Sequence, residues 1–361
     1  MVSVSSVAVE PPKLPRVMAW SAYNLGTTGY NQAVGIAKMF KDQHRVTLRV
    51  IPGKNDVSRL LPLMVNRVQF SANGVSTYFA QEGTFQFSGK RWGPQPLRIV
   101  MMSLGLSNQG IAVAANSGIK EIRGLVGKRV PYVLGAPALN VSTEAIMACG
   151  NVGWKDVIRV EFPGYVAMWN AMIAGQIDTA YATTVSGPTR RLEASPGGIR
   201  WLTMDHLDAA CWQRVHGVAP YMTPNMAVRG AGISETQPHE GGTYPYPILT
   251  TLDRRDEAMV YAVTSAIDQG LEQFKNAGIT GGSAGANNSY NPSSSTAGNS
   301  GYADGIATNV VLYATGNITV ASGGTVASLG RNGNTGYHTS QQQGGGGRGG
   351  AKGGAKVVVE K

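Results

Sequence analysis

Residues 17–40, VMAWSAYNLGTTGYNQAVGIAKMF, narrow the possible folds more than any other stretch of this chain. Val17–Trp20 is a short apolar run, Ser21–Gly29 a polar turn, and from Tyr30 onward the pattern becomes helical. Tyr30, Ala33, Val34, Ala37 and Phe40 recur at i, i+3, i+4 and i+7, which places them on one helix face. A strand that delivers a Gly/Thr/Asn turn to a helix N-terminus brings unpaired backbone N–H groups to the surface. Glycines let an anion or a carbonyl approach those groups closely.

The same syntax continues. Val46–Ile51 (VTLRVI) reads as a β-branched strand, Val57–Val65 as a helix and Val68–Ala72 as a third strand. This β-α-β-α-β order calls for a parallel sheet with helices on its faces. After a loop at 83–96 and a strand at Arg98–Met102, the pattern restarts from Gly110. Arg129–Val133 is a strand, GAPALN the heart of its turn, and Asn140 a plausible N-cap for a helix closed by Gly150. Strand Ile158–Phe162, helix Tyr165–Ala174 and strand Ile177–Thr183 follow, so that MIAGQIDTAYAT (172–183) parallels LMVNRVQFSANG (63–74) in architecture. A long helix is predicted from about Arg254 to Asn276.

The expected fold is therefore α/β and two-lobed. Residues 17–105 and 218–276 form lobe 1, residues 106–217 form lobe 2, and extended crossovers near 103–110 and 217–228 join them as the hinge of a clamp. Residues 1–16 read as an extended, Pro-punctuated lead. Beyond Asn276 the composition changes: residues 277–361 hold 21 of the 48 glycines and only two acids, Asp304 and Glu360. Such a Gly/Ser/Asn-rich tail buries too little apolar surface to order itself, apart from short strands expected within 308–329.

Composition excludes several classes. The 31 Lys and Arg against 21 Asp and Glu give a charge of +10, but the basic residues are scattered, which argues against a nucleic-acid face. No apolar run is long enough to span a bilayer, and the N-terminus lacks the basic and continuously apolar regions of a secretory signal. Cys149 and Cys211 form no metal or redox motif and are expected as small buried hydrophobes on helix faces. GTTG lacks the Lys-Ser/Thr of a phosphate-binding loop, and His239-Glu240 has no second His at metalloprotease spacing. With the histidines apart from the turns, no catalytic set is expected, nor a metal or cofactor.

SAYNLGTTGYNQA, LRVIPGKNDVSRLLPL, FSANG, NSGIKEIRGLVGKRV, GAPALNVSTEA, GQIDTAYATT and HEGGTYPYPILT, taken in that order, resemble the solute receptors of TRAP transporters, in particular the TAXI family. The resemblance covers about residues 15–276. It implies a periplasmic-binding-protein-like (type II) fold, a periplasmic location, a small carboxylate-bearing ligand and delivery to a TRAP-type membrane permease. By position it implies ligand contacts from Asn24, Gly26, Thr27 and Thr28, with Tyr30 at their edge, and from Lys54, Asn55 and Ser76. Asn140, Ser142 and Thr143 would face them from the other lobe, with Thr183 and Thr184 ending the matching strand.

The physics supports such a pair of jaws independently. Helix N-termini at Gly29–Asn31 and Asn140–Val141 each carry roughly +0.5 charge and can hold one carboxylate from both sides. Lys54 is the one cation expected near them; Tyr23, Tyr165, Trp169 and Tyr181 would shape an apolar wall, Trp169 being the better fit to the core. Three alternatives remain on the same residues: an ABC-type receptor, an enzyme using Glu144, and polyanion binding by the Gly347-Arg348-Gly349 tail.

Overall fold

β1 (Val17–Ala22) is the strand around which the first lobe forms, because both of its neighbours run parallel to it. It pairs with β2 (Thr47–Pro52) from Val17↔Thr47 to Ala22↔Pro52, and with β3 (Phe70–Asn73) at Trp20↔Phe70. The connections are α1 (Thr28–His44) and α2 (Asp56–Met64); α3 (Ser76–Glu82), which the sequence patterning leaves unassigned, leads from β3 toward β4 (Leu97–Leu104). The computed structural model describes residues 13–104, 107–270 and 309–312.

Local sequence explains the helix ends. Thr27 caps α1 by accepting the Tyr30 N–H, and Arg45 in the left-handed region (φ 55°) ends the helix with its N–H on the Lys41 carbonyl. Asn55 and Ser58 form a reciprocal capping box on α2. Ile36, Met39 and Phe40 then face Met18, Trp20 and Phe70, all fully buried.

The second lobe contains β5 (Gln109–Val113), β6 (Arg129–Val133), α4 (Pro137–Cys149), β7 (Ile158–Phe162), α5 (Tyr165–Ile173), β8 (Ala180–Thr183), α6 (Gly187–Glu193), β9 (Arg200–Trp201), α7 (Ala209–Val218), β10 (Thr223–Ala227) and β11 (His239–Thr243). The chain returns through β12 (Ile248–Leu252) and α8 (Glu257–Gln269), and β13 (Asn309–Leu312) pairs with β4. The first sheet has the order β13-β4-β12-β3-β1-β2, with β12 antiparallel to both β3 and β4. The second has the order β10-β11-β5-β8, with β9 also on β5, and β6-β7 form a separate parallel pair. Asp178 ties that pair in place by accepting the Arg129 backbone N–H at 2.7 Å and its guanidinium at 2.6 Å.

This topology moves the return crossing. β10 and β11 pair with each other and β11 joins β5, so residues 223–243 belong to the second sheet rather than to the first lobe. The chain crosses back at 244–247 instead of 217–228. Its segment there bonds the outgoing strand, Tyr246 N–H to Ser103 O at 2.8 Å and Ser103 N–H to Pro247 O at 3.0 Å.

The cysteines also differ from expectation. Cys149 at the end of α4 and Cys211 in α7 form a disulfide across 62 residues. The reason is spatial: α4 and α7 pack side by side, and nothing in the local sequence around either cysteine reports that. The lobes share apolar packing as well, with Leu60, Leu63 and Phe79 of the first in one cluster with Ile146, Met147 and Trp212 of the second. The expected lead at 1–16 is described only from Lys13, and the tail only at 309–312, a strand inside the predicted 308–329 span; the rest of both, and of the helix predicted to Asn276, lies outside the described residues.

Candidate functional site

Parallel strands bring their carboxyl ends, and the turns that follow them, to one edge of a sheet. Here the edges of the two lobes meet. The β1–α1 turn contributes Tyr23, Asn24 and Thr27; the β2–α2 turn and α2 contribute Lys54, Asn55, Asp56 and Arg59. From the opposite side come Ala136, Ala138 and Leu139 at the start of α4, Tyr165 of α5, Gln109 of β5, and Tyr181, Ala182 and Thr183 of β8, followed by Ser186. Gly74 and the crossover tyrosines Tyr244 and Tyr246 complete a cavity of about 70 Å³.

Several hydrogen bonds join the lobes around it. The Asn55 amide donates to Leu134 O at 3.0 Å, Val57 N–H to Gly135 O at 3.2 Å and Tyr165 N–H to Lys54 O at 3.3 Å. Thr28 and Thr183 hydroxyls lie 3.2 Å apart. Gly135 has φ +70°, and a Cβ there would stand 2.7 Å from the Asn55 amide nitrogen, so this close approach requires glycine.

The electrostatic centre is a buried pair. Asp56 and Arg59, 3% and 4% exposed, form an ion pair one turn apart on α2. The other carboxylate oxygen of Asp56 accepts the Ala138 N–H at 2.9 Å, at the first turn of α4 in the other lobe. Arg59 also donates Nε–H to Asn73 Oδ1 at 3.3 Å and lies 3.8 Å over the Tyr23 ring. Burial pushes the Asp56 carboxyl up, and the Arg59 charge together with the Ala138 N–H pulls it back.

The remaining wall is phenolic. Tyr181 OH donates to Gln109 Oε1 at 3.1 Å and lies 2.9 Å from Tyr244 OH, while Tyr23 and Tyr246 meet edge to face at 5.1 Å. Burial raises Tyr23, Tyr181, Tyr244 and Tyr246 and pushes Tyr165 up to about 12, so each keeps its hydroxyl proton at neutral pH.

Of the residues picked from the sequence, Asn24, Thr27, Lys54, Asn55 and Thr183 line the cavity, Lys54 at its exposed rim. Gly26 shapes the turn with φ +75°, Thr28 is spent on Thr183, and Tyr30 is half-buried outside the lining. Ser76 is buried beside Asp56, beneath the wall. Thr184 holds the Asn108 N–H.

The α4 residues need correction. The helix starts at Pro137, one turn earlier than expected, so Asn140 is no N-cap; its amide instead clasps Val133 through both N–H and carbonyl at 2.9 Å. Ser142 faces the hydroxyls of Tyr221 and Tyr244, and Thr143 bonds Leu139 O within the helix. The cap of α4 comes from the other lobe, as Asp56. The buried cation of the lining is Arg59 rather than the expected Lys54, which is exposed. The signal for Arg59 was present as an Asp-x-x-Arg spacing at a helix start, on one face by periodicity. Trp169 is fully buried, with its indole N–H on Tyr181 O.

Glu144 accepts the Trp154 indole N–H at 3.2 Å and is not part of the lining. Among the described residues, one group has metal-ligating atoms within 4.8 Å of one another, Asp205, His206 and Glu240; none of the three lines the cavity. No described helix is long and apolar enough to cross a membrane.

Comparison with known proteins gives a match to the NMT1/THI5 like family over residues 68–215. No curated protein matches. Among solved structures, the alkanesulfonate-binding protein SsuA from Xanthomonas axonopodis pv. citri, bound to MOPS, is similar at 16% identity and TM-score 0.44, over 74% of this chain and 75% of that one. An ancestral arginine-binding protein bound to arginine is similar at 12% identity and TM-score 0.44, over 73% and 97%. The ligand-binding component of an ABC-type import system from Staphylococcus aureus is similar at 12% identity and TM-score 0.45, over 74% and 75%.

Proposed function

We propose that this chain is an extracytoplasmic solute receptor, which holds a small organic molecule between its lobes and hands it to a membrane permease. The observation that carries the reading is the cavity itself, walled from both lobes and bounded by inter-lobe hydrogen bonds from residues 54–57. Its walls are suited to holding a ligand rather than transforming it. The titratable lining groups are an internally paired Asp56 and Arg59, a rim lysine and protonated phenols, with no nucleophile set beside a base. The Cys149–Cys211 disulfide supports an oxidising compartment such as the periplasm.

The motif resemblance suggests a TRAP-type permease, whereas some of the similar solved structures are binding proteins of ABC-type import. Vesicle uptake energised by ATP or by an ion gradient separates these two partners. The receptor reading is tested by a thermal-shift screen over small organic solutes. A ligand at a hundred times its Kd adds about 2.7 kcal/mol, which raises Tm by roughly 5–10 °C. Leu139→Trp, which fills the cavity from its wall, is expected to abolish that shift. A screen in which no solute raises Tm would overturn the reading.

A further inference from the structure

The first turn of a helix presents free N–H groups and a positive dipole end, the place where the carboxylate expected from the sequence would sit. At α4 that place is taken. One Asp56 oxygen accepts the Ala138 N–H at 2.9 Å and the other is paired with Arg59. The guanidinium of Arg59 is engaged as well, by Asn73 at 3.3 Å and by the face of Tyr23. Both charged side chains are almost wholly buried, and both line the cavity.

An incoming anion therefore meets the Asp56 carboxylate across a few ångströms of poorly screened space, and an incoming ammonium meets Arg59. Apart from Lys54, which is exposed at the rim, what the remaining wall offers is neutral: aromatic faces and phenolic hydroxyls of Tyr23, Tyr165, Tyr181 and Tyr244, and the Thr183 hydroxyl. We infer that Asp56 is the built-in anion of this site, and that the cavity selects uncharged, planar, hydrogen-bonding solutes over carboxylates of the same shape. The inference rests on the receptor reading for its ligand class, but not for the role of Asp56.

The test has two arms. In the first, the wild-type chain is titrated with matched pairs that differ only in charge, nicotinamide against nicotinate and benzamide against benzoate. The amides are expected to bind at least about tenfold more tightly, the effect of one like-charge contact of about 1.4 kcal/mol. In the second, Asp56→Ala exposes the α4 N-terminus and Arg59 to solutes, and acetate is expected to raise the Tm of this variant while leaving wild type unmoved. Carboxylates binding wild type as well as the amides, or acetate failing to stabilise folded Asp56→Ala, would overturn the inference. Should Asp56→Ala not fold, Asp56→Asn retains an acceptor for Ala138, and its preference is expected to swing toward the acids; an unchanged order overturns the inference. If acetate restores Asp56→Ala while wild type ignores every probe, the role of Asp56 stands and the receptor reading falls.

Discussion

Breaking the Cys149–Cys211 bond is expected to cost about as much free energy as any single change outside the core. The cysteines lie 62 residues apart, and closing a loop of that length in the unfolded chain removes about 14 cal/mol/K of entropy. At 25 °C this amounts to about 4 kcal/mol, or a fall in Tm of roughly 8–16 °C for a domain of this size. The native fold is expected to survive the loss. α4 and α7 still pack together, and Arg214 of α7 still donates to the Ala148 and Cys149 carbonyls at the end of α4. The assay is urea denaturation of the oxidised chain, the reduced chain and Cys149→Ser/Cys211→Ser, followed by circular dichroism. The reduced and serine forms should share a lower midpoint, unchanged native ellipticity and a steeper denaturant slope, because their unfolded state is more expanded. Two alkylatable thiols in unreduced, denatured protein would refute the reasoning, as would a stability loss below about 1 kcal/mol.

Three further outcomes follow from the same structure. Arg59→Met leaves Asp56 buried without its partner and should cost about 3–5 kcal/mol, whereas Arg59→Met/Asp56→Asn should recover much of it; single effects that add to within about 0.5 kcal/mol in urea unfolding would show no coupling. His239 donates Nε2–H to Leu202 O and receives Asn108 Nδ2–H on Nδ1, and burial holds its pKa below 6.5. The unfolded chain therefore binds the extra proton, so stability is full above pH 6.5 and falls as pH drops through the lowered folded value. His239→Gln should flatten the urea midpoint against pH across that acid range, and an unchanged slope would place the titration elsewhere. Tyr181→Phe removes the hydroxyl shared by Gln109 and Tyr244. It should lower stability by about 1–3 kcal/mol by leaving buried groups unpaired, a loss read from the same unfolding curves.

Much of the frame was legible because it is local. The strand–turn–helix periodicity of residues 17–40 appears as β1 and α1, with Thr27 as the cap, and the alternation in VTLRVI appears as β2. The start of α4 was legible too, had Pro137 been weighed as a first-turn residue; the polar Asn140 drew the boundary one turn late. The return path was harder. β10 and β11 are extended whichever sheet they join, and only their pairing with β5 decides the lobe. The site shows the same division. Turn residues such as Asn24, Thr27 and Asn55 announce themselves by type, but Asp56 and Arg59 read as an ordinary solvated helix pair until the second lobe covers them. The disulfide, too, is a property of how α4 and α7 meet rather than of either helix alone.

The central claim is that a solute is held between the two lobes, and the most direct measurement is a crystal structure grown with the tightest solute from the thermal screen. The account predicts density for that solute within hydrogen-bond reach of Tyr181 or Thr183 on one lobe and of Asn24 or Thr27 on the other, with Asp56 still on Ala138 and Arg59. Density for the solute outside the inter-lobe cavity, or contacts from one lobe alone, would contradict it.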